Sequence, residues 1–131
     1  TNLFVYANDE REPAKQVKAR ECIAQSMRER TGVVSTQVLQ EYAVVALGKL
    51  HQDPNVVVRN LLLLESLEVI QVTPALIRRS LELHLRYRIA FWDASILAAA
   101  ESAHCDRLLS EDLNPSQLYA NVRVENPFAP A

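Results

Sequence analysis

The 131-residue chain is short of glycine, with only Gly32 and Gly48. Two are too few for a glycine-rich phosphate loop, or for an all-β fold with many tight turns. Cysteine is as scarce. Cys22 and Cys105 lack CxxC spacing, and His51, His84 and His104 are scattered, so no zinc pattern emerges. Both thiols read as buried and reduced, which places the expected home of the protein in the cytoplasm. Long apolar runs are missing too. The leucines at 61–64 are followed at once by Glu65, whereas a bilayer span needs about 20 apolar residues. No secretory signal pattern opens the chain. Nor is there a strong charge of one sign. A net charge of −2 argues against a basic nucleic-acid binder, while leaving room for an enzyme that touches nucleic acid locally.

What remains is an ordinary globular composition, 49% hydrophobic and 23% charged. The length suits one domain with a real core, so residues 1–131 are expected to form a single unit. No linker, repeat or low-complexity segment divides it. Pro13, Pro54, Pro74 and Pro115 sit at plausible element boundaries, and Pro127 and Pro130 mark a loose tail from about residue 126. Helical periodicity runs from 13 to about 30, ended by Thr31-Gly32, and a short strand, VVS at 33–35, follows. A helix begins at Thr36. Asp53-Pro54 and Thr73-Pro74 are cap-then-proline helix starts. EVIQV at 68–72, RLLS at 107–110 and VRVE at 122–125 read as strands, and 92–103 as a helix. Short strands alternating with longer helices imply a parallel sheet covered on both faces. Ligands of such sheets gather at the carboxyl ends of the strands.

Three acids fall at that edge. Asp93, in AFWDASILAAAE, shares a helical stripe with Ile96, Leu97 and Ala100, so a carboxylate points along a face expected to be apolar. The bland reading is a first-turn acid favoured by the helix dipole. Glu41 sits at the edge of an apolar arc on the helix after the first short strand, where a solvated boundary glutamate is the bland reading. Asp112, in RLLSEDLN, stands just past a strand end, with a loop acid as its bland reading; its neighbour Glu111 is expected to point elsewhere. Converging carboxylates repel and raise one another's pKa. A divalent cation relieves that cost, and carboxylates without His or Cys suit Mg²⁺ or Mn²⁺. Such a site can activate water and stabilise charge on a phosphodiester.

These stretches resemble the PIN-domain family. TNLFVYANDE is similar to the segment that follows the family's first catalytic Asp in its Asp-Thr-Asn motif. VVSTQVLQEY resembles the second motif, with its acid at Glu41. FWDASILAAA resembles the third, with Asp93, and RLLSEDLN the fourth, with Ser110 two residues before Asp112. The matches come in family order and cover nearly the whole chain. The compact VapC-type toxins of toxin–antitoxin pairs look most similar. The resemblance implies a three-layer α/β/α domain with a short parallel sheet ordered 3-2-1-4-5. It implies a Mg²⁺-dependent endoribonuclease, homodimers, and a small antitoxin that often inserts a basic residue into the acidic site. It also makes residues 3–6, apolar enough for a strand, the start of the first helix. The chain opens at Thr1, directly after the place of the first Asp. The expectation is therefore that the family's first strand lies upstream and that the chain as it stands binds metal poorly.

Under this reading Thr1 and Asn2 orient the first Asp, and Ser110 bonds Asp112 or a metal-bound water. Arg86 and Arg88 either touch RNA phosphates or belong to a solvated helical face on which Glu82 pairs Arg78 or Arg86. Tyr42 and Trp92 are expected in the core, and His84 and His104 outside any catalytic role. Two other readings compete. One is a catalytically incomplete PIN-like module that binds an antitoxin or RNA. The other is a receiver-like domain, whose only candidate acidic pair, Asp9-Glu10, follows no clear strand.

Overall fold

A computed structural model describes residues 2–114 and 116–128. Thr1 and the end of the expected loose tail, residues 129–131, lie outside them. The helices are α1 (Asn2–Ala7), α2 (Pro13–Glu29), α3 (Thr36–Gly48), α4 (Pro54–Leu64), α5 (Pro74–Tyr87) and α6 (Phe91–Ser102). The strands are β1 (Val33–Ser35), β2 (Glu68–Ile70), β3 (Arg107–Leu109), β4 (Leu118–Tyr119) and β5 (Val122–Glu125). Residues 3–6 are thus helix, not strand. The mixed α/β arrangement has the three-layer α/β/α form of the expected fold class.

Local chemistry sets the helix starts. Asp53 accepts from the Asn55 amide at 2.8 Å, and Thr73 from the Leu76 amide at 3.2 Å, each with proline opening the helix. Ser35 caps α3 in the same way, accepting from the Val38 amide at 3.3 Å. β1 therefore passes straight into α3 with no loop between. The turn before β1 needs a small residue. A β-carbon on Gly32 would lie 2.5 Å from Leu67 Cδ2 and 3.1 Å from Ser26 Cβ.

The strands form two sheets among the described residues. β1 and β2 pair in parallel, Val34 opposite Val69. β3 and β5 pair in parallel, Leu108 opposite Val124, and β4 joins β5 antiparallel. The gap between the two sheets falls where the expected order 3-2-1-4-5 has its first strand, which the sequence reading places upstream. The second-and-third and fourth-and-fifth pairs of the order 3-2-1-4-5 are present, but a cavity of about 1120 Å³ separates β1 from β3 and is lined by both. β4 is a short antiparallel addition that the pattern did not announce.

Three apolar clusters hold the layers. The largest packs Leu83, Ala94, Leu97 and Ala98 of the α5–α6 pair against Tyr119, Val122 and Val124. A second surrounds Tyr42, Ala46, Val57 and Leu64 between α3 and α4. The third joins Leu3 and Ala7 to Ala19, with Phe128 against it. The Phe128 ring meets Tyr6 edge-on at 5.1 Å, so the tail is docked at least that far. Tyr42 is fully buried as expected, its hydroxyl accepting from Asn60 Nδ2 at 2.9 Å.

Candidate metal-binding acidic site

The cavity runs the length of the strands between the two sheets. At the carboxyl end of β1 and β3 it is lined by Glu41, Asp93, Asp112, Asn2, Ser110 and Gln37. Its opposite end carries Arg30 and Arg107. The geometry explains the position of Asp93. The α6 stripe that holds Asp93, Ile96 and Ala100 borders this cavity, while Leu97, Ala98 and Ala94 turn into the α5–α6 core. A helix face that looks apolar in sequence need not meet packed protein.

Trp92 shows the same effect and corrects the reading that placed it in the core. It is 65% exposed at the cavity rim, meeting Phe91 edge-on at 5.5 Å. The α5–α6 seam is filled instead by Leu76, Ser80 and Leu83 of α5 and by Ala94, Leu97 and Ala98 of α6.

Each acid is placed by a different device. Glu41 rides on α3, less than two turns beyond the Ser35 cap. Asp93 lies in the first turn of α6, where a carboxylate is favoured by the helix dipole. Even so, burial first, and then the like charges of Asp112 and Glu41, push its pKa above the ordinary carboxylate value. Asp112 follows β3 in a bend. Its backbone amide donates to Ser110 Oγ at 3.1 Å, and its Oδ2 accepts from Asn2 Nδ2 at 3.1 Å. Ser110 therefore shapes the Asp112 turn through the backbone, and Asn2 holds the carboxylate itself. Thr1, the other supporting residue expected from sequence, lies outside the described residues. Glu111 does point elsewhere, accepting from Tyr6 Oη and Lys15 Nζ at 2.9 Å each.

Gln37 was not anticipated. Only 6% exposed, it donates through Nε2 to Glu41 Oε2 at 3.4 Å and to the Trp92 carbonyl at 3.2 Å. Its Oε1 is buried without a hydrogen-bond partner, a state that typically costs about 1–3 kcal/mol. The one sequence signal was its spacing, four residues before Glu41 on the same helix face.

The expected RNA-contacting arginines do not border the cavity. Arg86 lies 5.9 Å from its neighbour's Tyr87 ring, and Arg88 ends α5 in a left-handed conformation, φ 54°. Glu82 pairs with Arg79 at 2.7 Å, not with Arg78 or Arg86, and Arg79 also clamps Glu101 of α6. Asp9 is claimed by Arg11, at 2.9 and 3.1 Å, and its pKa is lowered chiefly by that bond. That removes it as a free phosphate-accepting acid.

The family comparison is decisive once this geometry is in view. The PIN-domain profile matches residues 1–121. The chain belongs to the PIN-domain family. PIN domains are in general metal-dependent nucleases, which typically bind divalent cations. A search of curated proteins found no match.

The donor chemistry of this PIN domain fits such a cation. Glu41, Asp93 and Asp112 offer hard carboxylate oxygens, and no lysine or arginine among the described residues forms an ion pair with Asp93 or Asp112. Their spacing is looser than a ligand cage. Among the described residues, no three His, Cys, Asp or Glu side chains stand close enough to hold an ion. The acids are gathered on one cavity end, within electrostatic reach of Asp93, without being drawn together.

Proposed function

We propose that this PIN domain is a metal-dependent endoribonuclease in which Glu41, Asp93 and Asp112 hold Mg²⁺ or Mn²⁺ and Asn2 and Ser110 support Asp112. The observation that carries the reading is the meeting of these three acids at one cavity end, with Asp93 raised by burial and by the other two. A bound divalent cation supplies a polarised water and neutralises charge on the phosphodiester. The chain's own groups do the rest. Asp112 is oriented by the Asn2 amide, and Glu41 by Gln37. An ionised carboxylate at this end is placed to take the proton from the attacking water. The water oxygen bonds to phosphorus, one P–O ester bond breaks, and the departing alkoxide takes up a proton.

The four motifs in family order support assignment to the VapC-type toxins, and hence to a cytoplasmic protein neutralised by a small antitoxin. Ile77, Leu81 and Leu85 form an exposed apolar stripe along α5, which supports a protein partner or a second copy on that face. No described helix is long and apolar enough to cross a membrane. On this reading residues 1–131 act as one domain.

A second reading, a PIN-like binding module for an antitoxin or RNA, is favoured by the looseness of the acid cluster. An assay separates the two. The natural full-length protein is incubated with RNA in Mg²⁺, in Mn²⁺ and in EDTA, alongside its Asp93→Asn variant. The nuclease reading expects cleavage only with metal, and loss of it in the variant with the fold intact. Normal cleavage by the variant removes the catalytic assignment. Absence of cleavage by folded wild-type protein favours the binding module. A short reading frame immediately upstream of the gene would support the toxin assignment.

A further inference from the structure

Gln37 joins two acidic elements that are far apart in sequence. It sits at the start of α3, one helical turn before Glu41, and reaches 55 residues along the chain to the Trp92 carbonyl, next to Asp93. The amide nitrogen has two hydrogens and meets two oxygens, Glu41 Oε2 and Trp92 O. Both partners are acceptors, so the nitrogen must face them, and the orientation of the amide follows from the network. Oε1 then faces away from both, buried and unpartnered, on a residue that lines the acid end of the cavity.

We infer that Gln37 is a positioning residue for this site: its Nε2 pins Glu41 to the α6 turn that carries Asp93. Oε1 is closed to solvent and unpartnered, a cost that the side chain bears while its nitrogen holds the two acidic elements together. The pinning does not depend on the nuclease reading; its effect on metal binding and cleavage does.

The test compares wild type with Gln37→Leu, which has similar bulk but neither donor nor acceptor, and with Gln37→Met should the leucine variant not fold. Trp92 is the only tryptophan, so its emission reports on the pinned turn without interference. In EDTA the variant is expected to show lower Trp92 anisotropy than wild type at equal helix content. Unchanged anisotropy overturns the pinning role. Calorimetric titration with Mn²⁺ is expected to give about tenfold weaker binding in the variant, and RNA cleavage a lower kcat with KM held. Wild-type Mn²⁺ affinity and kcat in a folded variant overturn the positioning of the acids. Wild-type protein that binds no Mn²⁺ and cuts no RNA overturns the nuclease reading, and the anisotropy in EDTA still decides the pinning.

Discussion

Replacing Asp93 by asparagine is expected to stabilise the metal-free protein at neutral pH. Burial, Asp112 and Glu41 hold the folded-state pKa of Asp93 above its ordinary value. In the unfolded chain the group ionises near the usual value of about 3.9. Between those two values the folded protein binds the extra proton. Stability therefore falls as pH rises through this window, and the full penalty applies above the folded pKa. Asparagine keeps the shape and removes the charge. One pKa unit corresponds to about 1.4 kcal/mol, part of which is screened by the solvent that reaches this half-buried carboxylate. The helix N-terminus also favours the native acid. The expected net effect is a higher Tm for the variant at pH 7, the relief of burial and of the two like charges outweighing the lost interaction with the helix N-terminus. Thermal unfolding followed by circular dichroism in EDTA, from pH 4 to 8, should show the variant's advantage opening as pH rises. Mn²⁺ should reverse the order. At ten times its Kd it stabilises wild type by about 1.4 kcal/mol through mass action, and the variant by little. A variant no more stable than wild type in EDTA at pH 7, with the same pH profile, would refute the crowding argument.

Three further outcomes are expected. Ser35→Ala removes the cap that starts α3 and should cost about 1 kcal/mol, read as a lower urea midpoint and recovered by Ser35→Asn. Tyr42→Phe deletes a buried hydroxyl that accepts from Asn60 and lies 3.4 Å from Gln52 Oε1; it should cost about 1–2 kcal/mol in the same assay. For Glu111, burial raises the pKa, but the bonds from Lys15 and Tyr6 outweigh it and leave the value lowered. Its contribution to stability is present above the unfolded value and lost as pH falls through the lower folded one. Glu111→Gln should therefore flatten the acid side of the stability curve, and an unaltered acid limb would show that this contact contributes nothing.

Local signals were legible in the sequence. Asp53-Pro54 and Thr73-Pro74 mark their helices because cap and proline act within one turn, and α2 and α5 begin at the expected prolines. The acids were legible as a group because parallel-sheet topology places strand ends and following helix starts together. What depended on distant partners was not. Trp92 was misread because its helix face borders a cavity, and a stripe of small residues looks the same whether it meets a core or a void. The β4–β5 turn uses Ala120 and Asn121 at φ 48° and 67°, the left-handed pair of a tight hairpin but without the Asn-Gly signature that announces one. Gln37 stayed invisible because its role depends on a carbonyl 55 residues away. The division of the sheet, by contrast, was legible: the order 3-2-1-4-5 with its first strand upstream leaves the pairs β1–β2 and β3–β5 on either side of a gap.

The central claim is that Glu41, Asp93 and Asp112 form one cation site. The most direct measurement is a crystal structure of the natural full-length protein grown with Mn²⁺, with anomalous data collected at the metal edge. The account predicts a peak at the carboxyl end of β1 and β3, with oxygens of these acids about 2.0–2.3 Å away, and with Asp93 drawn towards its neighbours. No peak at saturating Mn²⁺, or a peak elsewhere with the three carboxylates still apart, would contradict it.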